Sequence, residues 1–172
     1  SHAEQAQTLV SKMATATLCT MSIEPAGYPY GSFVTYAIYE GNPIFLISGL
    51  AEHTKNLDKD SKASLLIAEA GEGNPLALGR VTLMGDCKRL PEEHRENVRD
   101  IFLSKNPDSK FYIDFKDFYF YRLEVSEVRY IGGFGRMSWI TDEQWFKAEP
   151  DPMVPFASDI IEHMNDDHAD SM

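Results

Sequence analysis

Residues 77–90 read ALGRVTLMGDCKRL, and their pattern decides the fold. Apolar Val81 and Leu83 are separated by the more polar Thr82, and this period of two residues is typical of a β-strand with one buried face. Pro91 follows the stretch at once and indicates the start of a helix, because proline is favoured at the first helical position. The stretch is therefore predicted to be a long strand that leads into a helix.

Similar strand-like runs lie on both sides of residues 77–90, and glycine, proline or asparagine marks the turns between them. They cover residues 17–23, 28–39, 44–48, 63–68 and 123–131, with an aromatic-rich run at 111–122 before the last. Helical spacing of apolar residues predicts helices at both ends, over 3–16 and 155–172, besides the helix inserted after Pro91. We therefore predict a mainly β fold, a small antiparallel β-barrel with N-terminal, inserted and C-terminal helices.

The net charge is −11, from 27 acidic and 16 basic residues in a chain of 172. This balance argues against nucleic acid or an anionic membrane as a partner, because both recruit clustered lysine and arginine. From Asp142 onward there are nine acidic residues and one basic residue, so the remainder of the chain is close to balanced. The total charge therefore does not exclude an acidic ligand.

Cys19 and Cys87 lie far apart in apolar surroundings, which favours two small buried thiols over a disulfide. No apolar run reaches the ~18 residues that a membrane span requires. The N-terminus also lacks an apolar signal-peptide segment. We therefore expect a soluble protein of a reducing compartment, either the cytoplasm or an organelle stroma.

Residues 48–57, SGLAEHTKNL, carry the most informative polar cluster. The cluster consists of Ser48 at a strand end, followed by His53, Thr54, Lys55 and Asn56 at the start of a predicted helix. A helix N-terminus offers unpaired N–H groups and a positive partial charge, and a hydroxyl and a lysine complete a cradle for phosphate. Ser32 adds a further donor if its strand is a neighbour. A capped helix with a solvated lysine is the alternative interpretation.

Four arginines fall on or beside predicted strands: Arg80, Arg122, Arg129 and Arg136. A guanidinium in such a position can make two parallel hydrogen bonds to a phosphate or a carboxylate. Each is equally compatible with a solvent-facing position. The glycine-rich bend at 132–135 lacks the spacing of a nucleotide fingerprint, but it brings Arg136 and Trp139 together at one end of the barrel.

Two further patterns have simple structural explanations. The aromatic run at 111–121 could stack a planar cofactor or seal a dimer, but a strand with one aromatic face in the core explains it as well. His163 and His168 are five residues apart, and this spacing does not place two metal ligands on one helical face. No metal site is predicted from spacing, and no hydrolase triad can be assembled.

Five blocks taken together carry a resemblance to a known family: GYPYGS at 27–32, SGLAEHTKNL at 48–57, GRVTL at 79–83, YIGGFG at 130–135 and HMNDDH at 163–168. In this order they resemble the pyridoxamine 5'-phosphate oxidase-like FMN-binding split barrels, and specifically the HugZ/HutZ-type haem-utilisation branch. The resemblance implies a homodimer of six-stranded antiparallel split barrels with two ligand sites across the interface. It also implies that residues 3–149 form the barrel, and that 150–172 form a helical arm beginning a further small domain in longer relatives.

The resemblance also assigns residues to the ligand site. The FMN phosphate would meet His53, Thr54 and Lys55, with Asn56 in the same block. Ser32 and Ser48 would line the site, and Arg80 would approach from a neighbouring strand. Arg136 and Trp139 would lie close to the site of the partner subunit. For haem, His163 and His168 are the candidate iron ligands, by resemblance to haem-degrading relatives.

Two classes of function follow from the resemblance. The first is an enzyme, either an FMN-dependent oxidoreductase or a haem oxygenase of HugZ type. The second is a non-catalytic flavin- or haem-binding module that carries or regulates. The segment GGFGRMSW at 132–139 replaces the substrate motif of true pyridoxamine phosphate oxidases, which argues against vitamin B6 oxidation.

Overall fold

The computed structural model describes residues 1–152 of the chain. Eight strands make up its sheet: β1 Thr15–Met21, β2 Pro29–Thr35, β3 Ala37–Tyr39, β4 Asn42–Ser48, β5 Lys62–Ala68, β6 Arg80–Arg89, β7 Phe118–Ile131 and β8 Met137–Thr141. Four helices flank them: α1 His2–Lys12, α2 Glu52–Lys59, α3 Arg95–Lys105 and α4 Asp142–Lys147. The predicted helix over 155–172 lies outside the described residues.

All strand pairs are antiparallel, and the order across the sheet is β2-β1-β5-β6-β7-β4-β3. The last strand, β8, pairs with the second half of β7, while β4 pairs with the first half. The long strand β7 therefore pairs with β6 along one edge and with the shorter strands β4 and β8 along the other. The predicted mainly β, antiparallel split barrel with flanking helices is confirmed.

The described residues form eight strands, so the expected count of six is wrong. The run at 28–39 is broken at Tyr36, whose N–H donates to the carbonyl of Ala14 and whose hydroxyl donates to the carbonyl of Val10. This anchoring of a fully buried side chain to the end of α1 separates β2 from β3. The residues after the glycine-rich bend form β8, a strand that the sequence did not indicate.

Two apolar cores hold the elements together. The barrel interior is filled by residues that share one face of their strands, among them Leu18, Leu65, Leu83 and Val128. A second core lies under α3, where Ile44, Leu46 and Phe120 pack against Val98 and Phe102. Because β4 contacts both cores, its centre is a continuous apolar run rather than an alternating one.

Candidate functional site

A groove opens where the barrel is split, between β2 and β4. Among the described strands, β2 is an edge strand of the sheet. On the side of β4 that faces away from β7, β3 pairs with it only from Asn42 to Ile44, so the rest of that edge is open. The two open edges flank a cavity of about 370 Å³. Its lining includes Phe33, Leu46, Ser48, His53, Tyr112 and Phe118. We call this cavity the β2–β4 groove, and its walls are mainly apolar and aromatic.

The start of α2 forms one end of the groove. Ser48 ends β4, and its hydroxyl accepts a hydrogen bond from the N–H of Leu50 at 3.1 Å and approaches Asp117 Oδ2 at 3.4 Å. The helix begins at Glu52, and no side chain caps its first turn. The uncapped N–H groups therefore retain the positive partial charge of a helix N-terminus.

His53 has one bonded and one unbonded ring nitrogen. Its Nδ1 lies 3.1 Å from Ser32 Oγ, and Ser32 Oγ lies 3.3 Å from the carbonyl of Leu18. Because the single hydroxyl proton of Ser32 is directed to that carbonyl, Nδ1–H of His53 is the donor and Nε2 carries the lone pair. Nε2 is buried and has no partner. Burial also lowers the pKa of His53, so the imidazole is neutral at pH 7.

Thr54 and Asn56 are almost completely buried, at 1% and 2% exposure. Thr54 Oγ1 donates to the carbonyl of Ser48 at 2.6 Å. Asn56 donates through Nδ2 to Thr20 Oγ1 at 3.1 Å and accepts from the N–H of Ile23 at 3.2 Å. These two side chains therefore fix α2 against β1 and β4, and the part of both residues in ligand binding stays a prediction.

We expect Asn56→Ala to lower the free energy of unfolding by about 2–4 kcal/mol. The change leaves the Thr20 hydroxyl and the Ile23 N–H buried without partners, and each unpaired group costs ~1–3 kcal/mol. Urea denaturation followed by circular dichroism measures the loss. Asn74→Ala is the matched control, because exposed Asn74 bonds only the N–H of Leu76. Equal losses in the two variants would contradict the anchoring role.

The remaining predicted site residues do not meet in one chain. Lys55 is exposed at the start of α2, and its Nζ lies 3.8 Å from Glu52 Oε1. Arg80 begins β6, which pairs with β5 and β7 and not with the strands that flank the groove, so its approach to a ligand stays a prediction. Arg136 lines a separate cavity beside α1, and Trp139 lies on β8. A contact of Arg136 or Trp139 with a ligand in the groove therefore requires a second copy of the chain.

A row of side chains in register crosses the outer face of the sheet. Its members, which we call the outer row, are Phe33, Thr17, Leu66, Thr82, Arg129 and Trp139, one from each of six strands. Phe33 is 77% exposed and Trp139 is 61% exposed, while the guanidinium of Arg129 lies 5.3 Å from the indole ring of Trp139. Phe33 lines the groove as well, so the groove opens at the edge of this row.

Phe33, Tyr112 and Phe118 are among the groove residues that sequence reasoning did not assign to the site, and Asp117 beside Ser48 was not assigned either. Tyr112 and Phe118 belong to the aromatic run that was explained as a strand, and the strand begins only at Phe118. Their ring centroids lie 5.1 Å apart, which places one aromatic pair against the groove. The aromatic run itself was the signal that could have found them. Asp117, beside Ser48, left no signal, because a single carboxylate in a loop is ordinary.

The predicted iron ligands His163 and His168 lie outside the described residues. Within residues 1–152 there are three histidines. His94 approaches the hydroxyl of Tyr39 at 3.3 Å, and His2 contacts Ser138. His53 is the one among them that lines the groove. Over the same range, no group of three or more His, Cys, Asp and Glu side chains could hold a metal ion.

Comparison with known proteins agrees with this fold. The family described as CREG, beta-barrel matches residues 1–147, and the chain belongs to that family. The likeness of fold extends to a Clostridium acetobutylicum protein of the pyridoxinephosphate oxidase family, related to general stress protein 26. That structure has a TM-score of 0.65 over 83% of this chain and 96% of its own, and at 13% identity it shows the fold alone.

Two more similar proteins have names that refer to haem. The non-canonical heme oxygenase HOZ, chloroplastic, of Arabidopsis thaliana is 37% identical over 170 residues, which are 96% of this chain and 52% of that protein. The chain thus spans about half the length of this relative. A heme binding protein from Mycobacterium smegmatis has a TM-score of 0.84 and 42% identity, over 99% of this chain and 70% of its own. The predicted resemblance to the split barrels of haem utilisation is confirmed.

Two other findings bear on the sequence predictions. Both cysteines are free, with Cys87 buried and Cys19 partly buried, so the preference for thiols over a disulfide is confirmed. No helix in the part of the chain that the structure describes is long and apolar enough to cross a membrane. The domain boundary near residue 149 stays a prediction.

Proposed function

We propose that the chain binds haem in the β2–β4 groove as a homodimer and takes part in haem degradation. The observation that carries the proposal is the buried Nε2 of His53, a nitrogen without a partner on a residue that lines an aromatic groove. A buried polar atom without a partner is costly, and such atoms recur where a ligand completes the site. The names of the two haem-related relatives support the same ligand.

The groove residues suit haem in two respects. Phe33, Tyr112 and Phe118 offer aromatic surface to a planar macrocycle. His53 has the arrangement of a metal-binding imidazole, in which one nitrogen is anchored by a hydrogen bond, here to Ser32, and the other is free. Because Nε2 is covered by the chain itself, ligation requires a small displacement of the groove walls. Haem, when bound, supplies iron for oxygen chemistry, and the chain binds and orients it and keeps water away.

The outer row supports the homodimer. The row holds three exposed apolar side chains, Phe33, Leu66 and Trp139, and exposed apolar groups on one face of a sheet are typical of a protein interface. A two-fold interface on this face would close the mouth of the groove, because Phe33 belongs to both. It would also allow Arg136 or Trp139 of a second copy to reach the ligand. The propionates of haem need such cations, since Lys55 is already beside Glu52.

We expect His53→Ala to weaken haem binding at least tenfold and to shift the Soret band. Removing the imidazole removes the side chain that would hold the iron, and added imidazole should restore the spectrum of the variant. Titration of the purified protein with haemin, followed by visible and EPR spectroscopy, measures both effects. His94→Ala is the control, because His94 lies outside the groove. An unchanged spectrum and affinity in His53→Ala would exclude His53 as the ligand.

Degradation and carriage of haem are distinguished by one further measurement. In the presence of oxygen and a one-electron reductant such as ascorbate, an enzyme would lose the Soret band and release iron. A carrier or regulatory module, the second candidate, would retain its spectrum under the same conditions. We favour degradation because the Arabidopsis relative is named a heme oxygenase. The free thiols Cys19 and Cys87 fit a reducing compartment, for which we propose the cytoplasm or an organelle stroma.

A further inference from the structure

The α2 end of the groove has part of what a phosphate group needs. A phosphate dianion is held by N–H and hydroxyl donors together with cations. The uncapped first turn of α2 supplies N–H groups, and Ser48 at the end of β4 supplies a hydroxyl. On this count alone the site would accept the phosphate of FMN.

The charges at the same place oppose a dianion. Glu52 is the first residue of α2, and its carboxylate lies 3.8 Å from the Nζ of Lys55. A second carboxylate, that of Asp117, lies 3.4 Å from the Ser48 hydroxyl. His53 adds no positive charge, since burial lowers its pKa and keeps the ring neutral. The first turn of α2 and the end of β4 therefore carry two anionic side chains, Glu52 and Asp117, against one cation, Lys55.

Glu52 is an acidic residue in the first turn of α2, the helix terminus to which a phosphate would bind. An acidic residue in the first turn of a helix interacts favourably with the N-terminal partial charge, and so does a bound anion. An incoming phosphate would compete with Glu52 for the helix terminus and for Lys55, whose Nζ already lies 3.8 Å from the Glu52 carboxylate, and the two like charges would repel each other. The residues present therefore do not fit the phosphate of FMN.

We propose that Glu52, together with Asp117, is a specificity determinant that excludes phosphate-bearing flavins from the β2–β4 groove. The proposal rests on the proposed function, because it explains how a barrel with a phosphate-like cradle is reserved for a ligand without phosphate. On this proposal, FMN is not the ligand because of the carboxylates of Glu52 and Asp117 and not because of the fold.

The test compares FMN with riboflavin, which carries the same ring system without the phosphate. We expect the wild-type protein to bind FMN more weakly than riboflavin. Glu52→Gln should strengthen FMN binding roughly tenfold and leave riboflavin unchanged, because only FMN carries the charge that the carboxylate repels. Glu52→Gln combined with Asp117→Asn should add to the gain, and adding Lys55→Ala should cancel it. Quenching of flavin fluorescence measures each affinity.

Glu96→Gln is the matched control, since Glu96 is an exposed acid in the first turn of α3. Three outcomes would overturn the proposal: tight FMN binding by the wild-type protein, no gain in Glu52→Gln, or an equal gain for riboflavin. Haemin titration of the same variants tests the proposed function separately. Failure of every variant to bind haem would refute the haem proposal, whereas a phosphate-specific gain would still stand.

Discussion

Leu66→Glu is expected to convert the proposed dimer, of about twice 19.4 kDa, into a monomer, with a dissociation constant raised roughly 100-fold or more. Leu66 is 40% exposed near the middle of the outer row, where a glutamate remains solvated in the isolated chain. In a two-fold interface each copy presents the same surface, so one substitution buries two unpaired carboxylates. Sedimentation velocity across a concentration series measures the change in mass.

The variant also tests whether the groove is complete in a single chain. Haemin affinity should fall together with dimerisation if a second copy closes the groove beside Phe33. Ile101→Glu is the matched control, because Ile101 is 36% exposed and lies on α3, away from the outer row. A Leu66→Glu protein that stays dimeric would show that the outer face is not the interface. A monomer that binds haem as tightly as the wild type would show that one chain suffices.

Gly85→Ala is expected to cost stability at or above the upper end of the ~1–3 kcal/mol that overpacking usually costs. The register between β6 and β7 shifts after Met84, and the two backbones approach closely there. A Cβ at Gly85 would lie 1.9 Å from the carbonyl oxygen of Glu124, a backbone atom that no side-chain rotation can move. The bulge must therefore open, and the pairing at the centre of the barrel is weakened with it.

Gly31→Ala provides the comparison for Gly85→Ala. Gly31 also lies in a strand, β2, and a Cβ there would meet only the Thr17 methyl group at an ordinary 3.6 Å. Thermal and urea unfolding of both variants at the same protein concentration should give a loss in Gly31→Ala below ~1 kcal/mol. Similar losses in the two variants would mean that the close approach at the bulge is not what demands glycine.

The sequence predicted most strands because their signal is local. The alternation over 77–90 and the apolar run at 44–48 both correspond to observed strands, β6 and β4. The break at Tyr36 could not be predicted, since it depends on hydrogen bonds from Tyr36 to the end of α1. The short helix α4 was missed although it carries a local signal, a capping box between Thr141 and Gln144.

The candidate site was predictable in its position and only partly in its members. The polar cluster at 48–57 does lie at one end of the groove, with Ser32 beside His53 as expected. The sequence could not show that Asn56 faces the interior, because an amide at that position is equally compatible with solvent. Nor could it place Asp117 beside Ser48, since 69 residues separate them along the chain.

The position of Phe33 would couple formation of the dimer to ligand binding. The same side chain lines the groove and stands at the end of the outer row, so a ligand and a second copy would both contact it. If dimerisation raises the affinity for haem by some factor, haem must strengthen the dimer by the same factor, because the coupling free energy is reciprocal. Ligand supply would then set the oligomeric state, and the chain would respond to haem concentration as well as bind it.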